Sequence, residues 1–201
     1  MKEGEKITIG NKIWQIMVHI EKYADAKTES VGENIKFIAI VSVVLAIISA
    51  IEMLSLGRIS LTGLPFATSL GNVFEPPIAA MVAFVGVIIG SVLLLLIGSV
   101  ILHIFAIFLG AKKKYSDTVP AMVVFMLPNL LFGWIPFVNI WTSIYAFLII
   151  VYVLARKQDL TMAKATTAIA VPIIIATAIA GAFGLLGAGG MIQTLVPVPG
   201  F

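Results

Sequence analysis

Residues 118–155 read TVPAMVVFMLPNLLFGWIPFVNIWTSIYAFLIIVYVLA, an almost unbroken apolar run. As one helix this run would measure about 57 Å, nearly twice the ~30 Å hydrocarbon core of a bilayer. A membrane cannot accommodate one such helix, so the run predicts two antiparallel spans joined by a turn. Gly133, Pro136 and Asn139 are residues of the kind that mark turns. We therefore expect spans over 117–132 and 136–155.

Three further apolar runs flank this hairpin and predict three more spans. The run that follows Pro76-Pro77 would measure about 48 Å as a helix, so it must tilt, project or bend. Gly86, Gly90 and Gly98 are the places where it could bend. Thr161 is the expected N-cap of the last span, which Pro172 interrupts. These three spans are expected over 33–54, 78–109 and 162–187.

The composition agrees with a chain that lies mostly in lipid. The sequence is 60% hydrophobic and 11% charged, against roughly 25% charged for an ordinary soluble domain. The first apolar run begins near Ile35, too late and after too many charges for a cleaved signal peptide. The predicted fold class is an all-α integral membrane protein, a bundle of five transmembrane helices formed by residues 35–187.

An amphipathic helix is expected over 11–26, within a cytoplasmic amino-terminal segment of residues 1–34. Ile13, Ile16, Ile20 and Tyr23 fall on one side of its helical wheel. Two compatible interpretations remain open, namely an interfacial helix lying on the inner leaflet and a helix packed under the bundle. The sequence Ser30-Val31-Gly32-Glu33 then has the form of a capping box at the start of the first span.

Basic residues alternate along the polar segments between the apolar runs. Twelve of the thirteen Lys and Arg residues lie in segments 1–36, 110–117 and 156–164, and Arg58 stands apart. Because short cytoplasmic loops carry an excess of Lys and Arg, this pattern predicts a cytoplasmic amino terminus and an external carboxyl-terminal tail over 188–201. The net charge of +3 then reflects lysines facing anionic headgroups, and no nucleic-acid partner is expected.

Small residues recur at a spacing of four on three of the predicted spans, which favours close helix contact in lipid. Two interpretations stay open, internal packing of the bundle and a homo-oligomer interface. The stripes are Ser42, Ala46 and Ala50 on the first span, Gly86 and Gly90 on the second, and Ala176, Ala180, Gly184 and Ala188 on the fifth.

The sequence offers little for catalysis. It has no Cys, no pair of carboxylates spaced for acid–base work and no His cluster with metal-ligand spacing. We therefore expect a protein that is not an enzyme and has no catalytic residues, no metal site and no cofactor. His103, Asn129 and Asn139 form the candidate intramembrane polar site, either as structural hydrogen-bonding groups or as part of a transport path.

The half of the chain from about residue 93 to 175 resembles the Yip family, membrane proteins named for interacting with Ypt/Rab GTPases. The matching residues are His103 within Ile101-Leu102-His103-Ile104, Leu109-Gly110, Tyr115-Ser116 followed by Pro120, Met126-Leu127-Pro128, the Ile135-Pro136 turn, and Ala155-Arg156-Lys157 through Asp159 and Leu160 to Lys164-Ala165. The chain lacks the long amino-terminal region with an Asp-Leu-Tyr-Gly-Pro motif of eukaryotic members. It therefore resembles the compact prokaryotic branch, which implies a prokaryotic cell membrane and does not carry over Rab binding.

The resemblance and the charges together predict a membrane scaffold or organiser that binds anionic lipid or a protein partner at its cytoplasmic face. The candidate contact residues are Lys112, Lys113, Lys114, Tyr115, Arg156 and Lys157. The alternative is a small transporter or channel with a path near Asn129, Asn139 and His103.

Overall fold

The structure is a computed structural model that describes residues 8–56, 74–135 and 137–195. In these ranges the chain is helical, and five of its helices are long and apolar enough to cross a membrane. A short 3-10 turn, Tyr115–Asp117, precedes α5. The helices are α1 Ile9–Val18, α2 Ile20–Asp25, α3 Val31–Leu56, α4 Pro76–Phe108, α5 Val119–Phe132, α6 Val138–Gln158 and α7 Met162–Leu195.

The five long helices confirm the predicted number of apolar helices, and their ends lie close to the predicted ones except in α7. That helix continues to Leu195, so the first part of the predicted tail over 188–201 is helical. The hairpin in the opening stretch is present, with α5 and α6 packed against each other. Pro136 at its turn and the loop around Arg58 lie outside the described residues.

The shortest of the long helices, α5, is the centre of the bundle. It packs against α3, α4 and α6 and also touches α1, and Val119, Val123 and Leu127 are completely buried. Pro120 lies in its first turn, where the missing amide hydrogen costs nothing. Residues 119–132 thus form the core to which the other helices are attached.

Helices α3 and α4 make the most extensive contact in the bundle. Ser42 and Ala46 of the predicted α3 stripe are fully buried. On α4, however, an added Cβ at Gly86 or Gly90 would meet no atom within 4 Å, whereas one at Gly98 would lie 2.6 Å from Cε of Met122. The close approach of α4 to α5 is therefore at Gly98, not at the predicted GxxxG pair.

Helix α4 is continuous from Pro76 to Phe108 and does not break at its glycines. On α7, the described stripe residue Ala176 is exposed, and Gly181 has open space around it. In the described part of the chain, the extensive contacts of α7 are with α4 and α6. These described positions are not packed inside the chain, so the homo-oligomer interpretation of the stripes stays a prediction.

The amino-terminal segment differs from its prediction of one helix over 11–26. The chain instead forms α1 and α2, with a break at His19, whose ψ of 51° leaves the helical region. Tyr145 of α6 stabilises this break, because its hydroxyl donates to the carbonyl of Met17 at 2.8 Å and lies 3.4 Å from that of Ile16. These two carbonyls belong to the last turn of α1, where no intrahelical partner exists.

The pair α1 and α2 packs against the bundle, α1 on α5 and α2 on α6, with Ile16 and Tyr23 buried. Trp14 and Val18 remain exposed. The capping box that follows is confirmed. The Glu33 carboxylate accepts from the Ser30 amide at 2.9 Å, and the Glu33 amide donates to the Ser30 hydroxyl at 3.2 Å.

Candidate functional site

The three basic segments of the sequence meet at one end of the bundle, which we call the basic end. Arg156 Nε lies 4.0 Å from a carboxylate oxygen of Asp25, and Lys113 pairs with Asp159 at 2.7 Å. Gly110, with a φ of 99°, ends α4 beside the Lys164 ammonium. Such a φ favours glycine, and the resulting turn brings residues 112–114 back over the bundle. We call the opposite end, where Glu75 precedes α4, the far end.

The six predicted contact residues differ in their surroundings. Lys112, Lys113 and Lys114 are exposed, as is Arg156, whose guanidinium lies 5.7 Å from the centre of the Tyr152 ring. Tyr115 is half-buried, and its hydroxyl donates to the carbonyl of Leu96 at 3.3 Å. Lys157 is buried, with only 7% of its surface exposed. Lys112 and Lys114 are exposed without an ion pair among the described residues, Lys113 pairs with Asp159, and Tyr115 joins the loop to α4.

A cavity of about 140 Å³ lies at the basic end between the α1–α2 pair and the bundle. We call it the inner cavity. Pro120, in the first turn of α5, forms part of its wall, and three lysines and one carboxylate also line it. The lining residues are Lys12, Gln15, Tyr23, Ala26, Lys27, Thr28, Glu29, Pro120 and Lys157.

Lys12 is buried in this cavity, with 5% of its surface exposed. Its ammonium contacts the carboxylate of Glu29, lies 3.3 Å from Oδ1 of Asn34 and stands 4.3 Å from the centre of the Phe37 ring. Burial lowers the pKa of Lys12 from its ordinary value, and the hydrogen bond to Glu29 opposes that shift. Burial also raises the pKa of the Tyr23 hydroxyl, so this group stays a neutral donor.

Lys157 lies in the last turn of α6 and donates to the carbonyl of Ala26. Among the described residues no carboxylate oxygen lies within 4 Å of its ammonium. The next residue, Gln158, is also buried, and its amide donates to the carbonyl of Lys114 at 3.2 Å and to Thr118 at 2.8 Å. The end of α6 is thus fixed from both sides by polar contacts.

His103 forms part of this second network. Its Nδ1 lies 2.8 Å from the Thr118 hydroxyl, and its ring meets the Tyr115 ring edge-on at 5.7 Å. The Thr118 hydroxyl also accepts from the Gln158 amide, so one hydroxyl joins His103 and Gln158. Of the two interpretations of His103, the structure shows a hydrogen-bonding role, with the Thr118 hydroxyl as its partner and the Tyr115 ring beside it.

Asn129 and Asn139 lie together, as expected for residues flanking the α5–α6 turn. The Asn129 amide donates to the carbonyl of Phe125 at 3.1 Å, and the Ser143 hydroxyl lies 3.2 Å from Oδ1 of Asn139 and 3.5 Å from Oδ1 of Asn129. Both amides border a second cavity of about 440 Å³, which we call the outer cavity. Its walls are mostly apolar side chains of α3, α4 and α5, including Leu45, Leu94, Phe125 and Leu130.

The structure does not bring the three members of the candidate polar site together. His103 bonds to Thr118, just before α5, and Asn129 lies eleven residues further on, about 16 Å along the helix. The polar residues therefore form two separate clusters. Among the described residues, no group of three or more His, Asp or Glu side chains is arranged to hold a metal ion.

Sequence reasoning missed four residues that the structure makes prominent. Lys12 and Glu29 meet in the inner cavity, while Thr118 and Gln158 form the buried network with His103. Gln158 did carry a signal, because a buried amide at the end of an apolar span needs partners that only another segment can provide.

No family model, curated protein or solved structure matches the chain.

Proposed function

We propose that the protein is a multi-pass integral membrane protein of the Yip type that acts as a non-enzymatic scaffold. Its basic end faces the cytoplasm and binds the anionic headgroups of the inner leaflet. The observation that carries this proposal is the meeting of three basic segments, distant in sequence, at one end of an apolar bundle. The far end bears Glu75 and no basic side chain among the described residues.

The exposed side chains of the basic end suit a headgroup region. Lys112, Lys113 and Lys114 are exposed on one loop, and each basic residue near an anionic surface contributes about 1 kcal/mol. Trp14 and Val18 are exposed on α1, and an indole ring is stable at the membrane–water interface. Together they favour a surface that contacts lipid headgroups.

Several residues that carry the Yip resemblance lie at the basic end. His103 and Tyr115 are in ring contact, Gly110 lies beside Lys164, and Asp159 pairs with Lys113. These residues are spread over more than sixty positions of sequence and are close in space. These members of the motif gather at one end of the bundle, which suits a common structural or binding role there, whereas Met126-Leu127-Pro128 and Ile135 lie along α5 and in the turn that follows it.

Lipid quenching of Trp14 tests the proposal. Trp134 and Trp141 are replaced by Phe, so that Trp14 is the single fluorophore, and the protein is reconstituted in phosphatidylcholine with dibrominated phosphatidylglycerol or dibrominated phosphatidylcholine. We expect the brominated anionic lipid to associate about fivefold more strongly, the equivalent of one basic residue. The ratio of phosphatidylglycerol association to phosphatidylcholine association should fall toward one in 1 M salt, where the Debye length is about 3 Å.

A matched pair of variants sharpens this test. Replacing Lys112, Lys113 and Lys114 by Gln should reduce the preference, whereas Glu75→Gln at the far end should leave it unchanged. Equal quenching by the two brominated lipids at low salt would refute anionic-lipid binding at this surface.

The outer cavity gives a second candidate function, a small transporter or channel. It is the largest of the described cavities, and Asn129 and Asn139 supply its polar groups. His103 belongs to the other cluster, so such a path would use the asparagine pair without it. Solute flux through proteoliposomes that is lost in Asn129→Leu and kept in His103→Ala would support this function, and the absence of flux would exclude it.

A further inference from the structure

We propose that the inner cavity is a binding site for one phosphate monoester group, as on the headgroup of an anionic lipid or as free phosphate. The lipid form of this proposal rests on the proposed function, and the free-phosphate form does not. The site is formed by Lys12 on α1, Lys27 in the loop before α3, and Lys157 at the end of α6.

The charge balance of the cavity favours a dianion. Three lysines and a single acidic residue, Glu29, line it, which leaves an excess of two positive charges among the lining residues, while Asp25 and Asp117 act on Lys157 from outside the lining. A phosphate monoester carries about −1.5 to −2 at neutral pH. Its oxygens are acceptors only, and Tyr23, Gln15 and Thr28 add neutral donors to those of the lysines. Pro120 in the cavity wall also places the positive end of the α5 dipole nearby.

Lys157 supplies the second, independent observation. Only 7% of the surface of this residue is exposed, and its ammonium donates to the carbonyl of Ala26, with no carboxylate oxygen of the described residues within 4 Å. Buried charges are normally paired, because an uncompensated ion in a low-dielectric site is costly. Lys12, by contrast, is paired with Glu29. Lys157 is therefore a buried cation without a directly paired carboxylate, and Asp117, Asp25 and Glu29 act on it only from beyond ion-pair distance.

The size of the inner cavity limits the ligand. Its ~140 Å³ equals about four to five water molecules at roughly 30 Å³ each, well below the 300–1,000 Å³ of a site for a drug-sized ligand. A terminal phosphate fits this space, whereas a nucleotide or a sugar-substituted headgroup does not. A phosphomonoester lipid would keep its acyl chains outside the cavity.

Native mass spectrometry of the full chain in a neutral detergent tests the site. The protein is titrated separately with dioleoyl phosphatidate, which ends in a phosphomonoester, and with dioleoyl phosphatidylglycerol, in which the phosphate is a diester. We expect a one-to-one phosphatidate adduct with an apparent Kd at least tenfold lower than that of phosphatidylglycerol. Inorganic phosphate at millimolar concentration should compete with the adduct.

Three variants separate the site from general surface charge. Lys157→Met should weaken phosphatidate binding at least tenfold, while Lys112→Met, which removes one exposed charge from the same end, should change it less than twofold. Lys157→Arg keeps the cation and should retain most of the binding. Circular dichroism of each variant establishes that the helices are intact.

The outcomes distinguish the two ligand sources and the two proposals. Binding of phosphatidate with competition by phosphate supports a lipid headgroup, and binding of inorganic phosphate alone, lost in Lys157→Met, supports a soluble phosphate ligand. No binding of either, or equal weakening in folded Lys157→Met and Lys112→Met, overturns the site. If Trp14 is quenched equally by brominated phosphatidylglycerol and brominated phosphatidylcholine while the phosphatidate adduct still forms, only the proposed surface function is refuted.

Discussion

Removal of one hydroxyl from α6 should raise the equilibrium constant for opening of the α1–α2 pair from the bundle. Tyr145 donates to the carbonyl of Met17 at 2.8 Å and lies 3.4 Å from that of Ile16. It is located 13 residues before Gln158, the last residue of α6, or about 20 Å along the axis. Tyr145→Phe keeps the ring and removes only this polar contact to the last turn of α1.

The size of the effect follows from the carbonyl that is left behind. The bond to the Met17 carbonyl is partly buried, and a polar group left unsatisfied away from water costs about 1–3 kcal/mol. At 1.4 kcal/mol for each factor of ten, the equilibrium for opening of α1 should rise about 5- to 140-fold. The rest of α6 packs through residues that are unchanged, such as Ile150 and Leu154. The effect should therefore be local to the amino-terminal pair.

Amide hydrogen exchange in detergent or nanodiscs measures this opening peptide by peptide. We expect faster exchange by that factor over residues 13–24 in Tyr145→Phe, with unchanged rates in α5. Tyr115→Phe is the matched control, since it removes a tyrosine bond to the carbonyl of Leu96 that does not involve α1. Unchanged exchange over 13–24 in Tyr145→Phe, or an equal rise in Tyr115→Phe, would refute the assignment of Tyr145 as the anchor.

Thermal unfolding in detergent checks three further predictions. Thr118→Val should lower stability by about 1–3 kcal/mol, because buried Gln158 and half-buried His103 lose their shared hydroxyl, whereas exposed Thr166→Val should be near neutral; equal effects would contradict the network. Gly133→Ala should lower the free energy of unfolding, since its Cβ would lie 2.5 Å from a backbone oxygen. Gly86→Ala has open space and should leave the free energy of unfolding unchanged or raise it by up to about 1 kcal/mol; a lower stability for Gly86→Ala than for Gly133→Ala would contradict this packing. Ser30→Ala should cost about 1 kcal/mol through loss of the capping box, and an unchanged midpoint would argue against it.

The features that could be predicted from the sequence are those set by local chemistry. The 118–155 run had to fold back because its length exceeds any bilayer, and α5 and α6 do so. The capping box needs only residues 30–33, and its bonds are present. Pro76-Pro77 starts α4 because proline is tolerated in a first helical turn. Each of these depends on a few consecutive residues.

The features that could not be predicted depend on contacts between distant segments. The break at His19 is stabilised by Tyr145, more than a hundred residues away, so the helical wheel over 11–26 gave no sign of it. The close contact at Gly98 instead of Gly86 and Gly90 depends on where Met122 lies. The burial of Lys12 and Lys157 depends on the packing of α1 and α2 against the bundle, which the sequence does not show.

Sidedness of the basic end is the most direct test of the account. The chain has no native cysteine, so Lys112→Cys at the basic end and Glu75→Cys at the far end each introduce a single reporter at an exposed position. With a membrane-impermeant maleimide, we predict labelling of Glu75→Cys in intact cells and of Lys112→Cys only after permeabilisation. Labelling of Lys112→Cys in intact cells would contradict a cytoplasmic basic end.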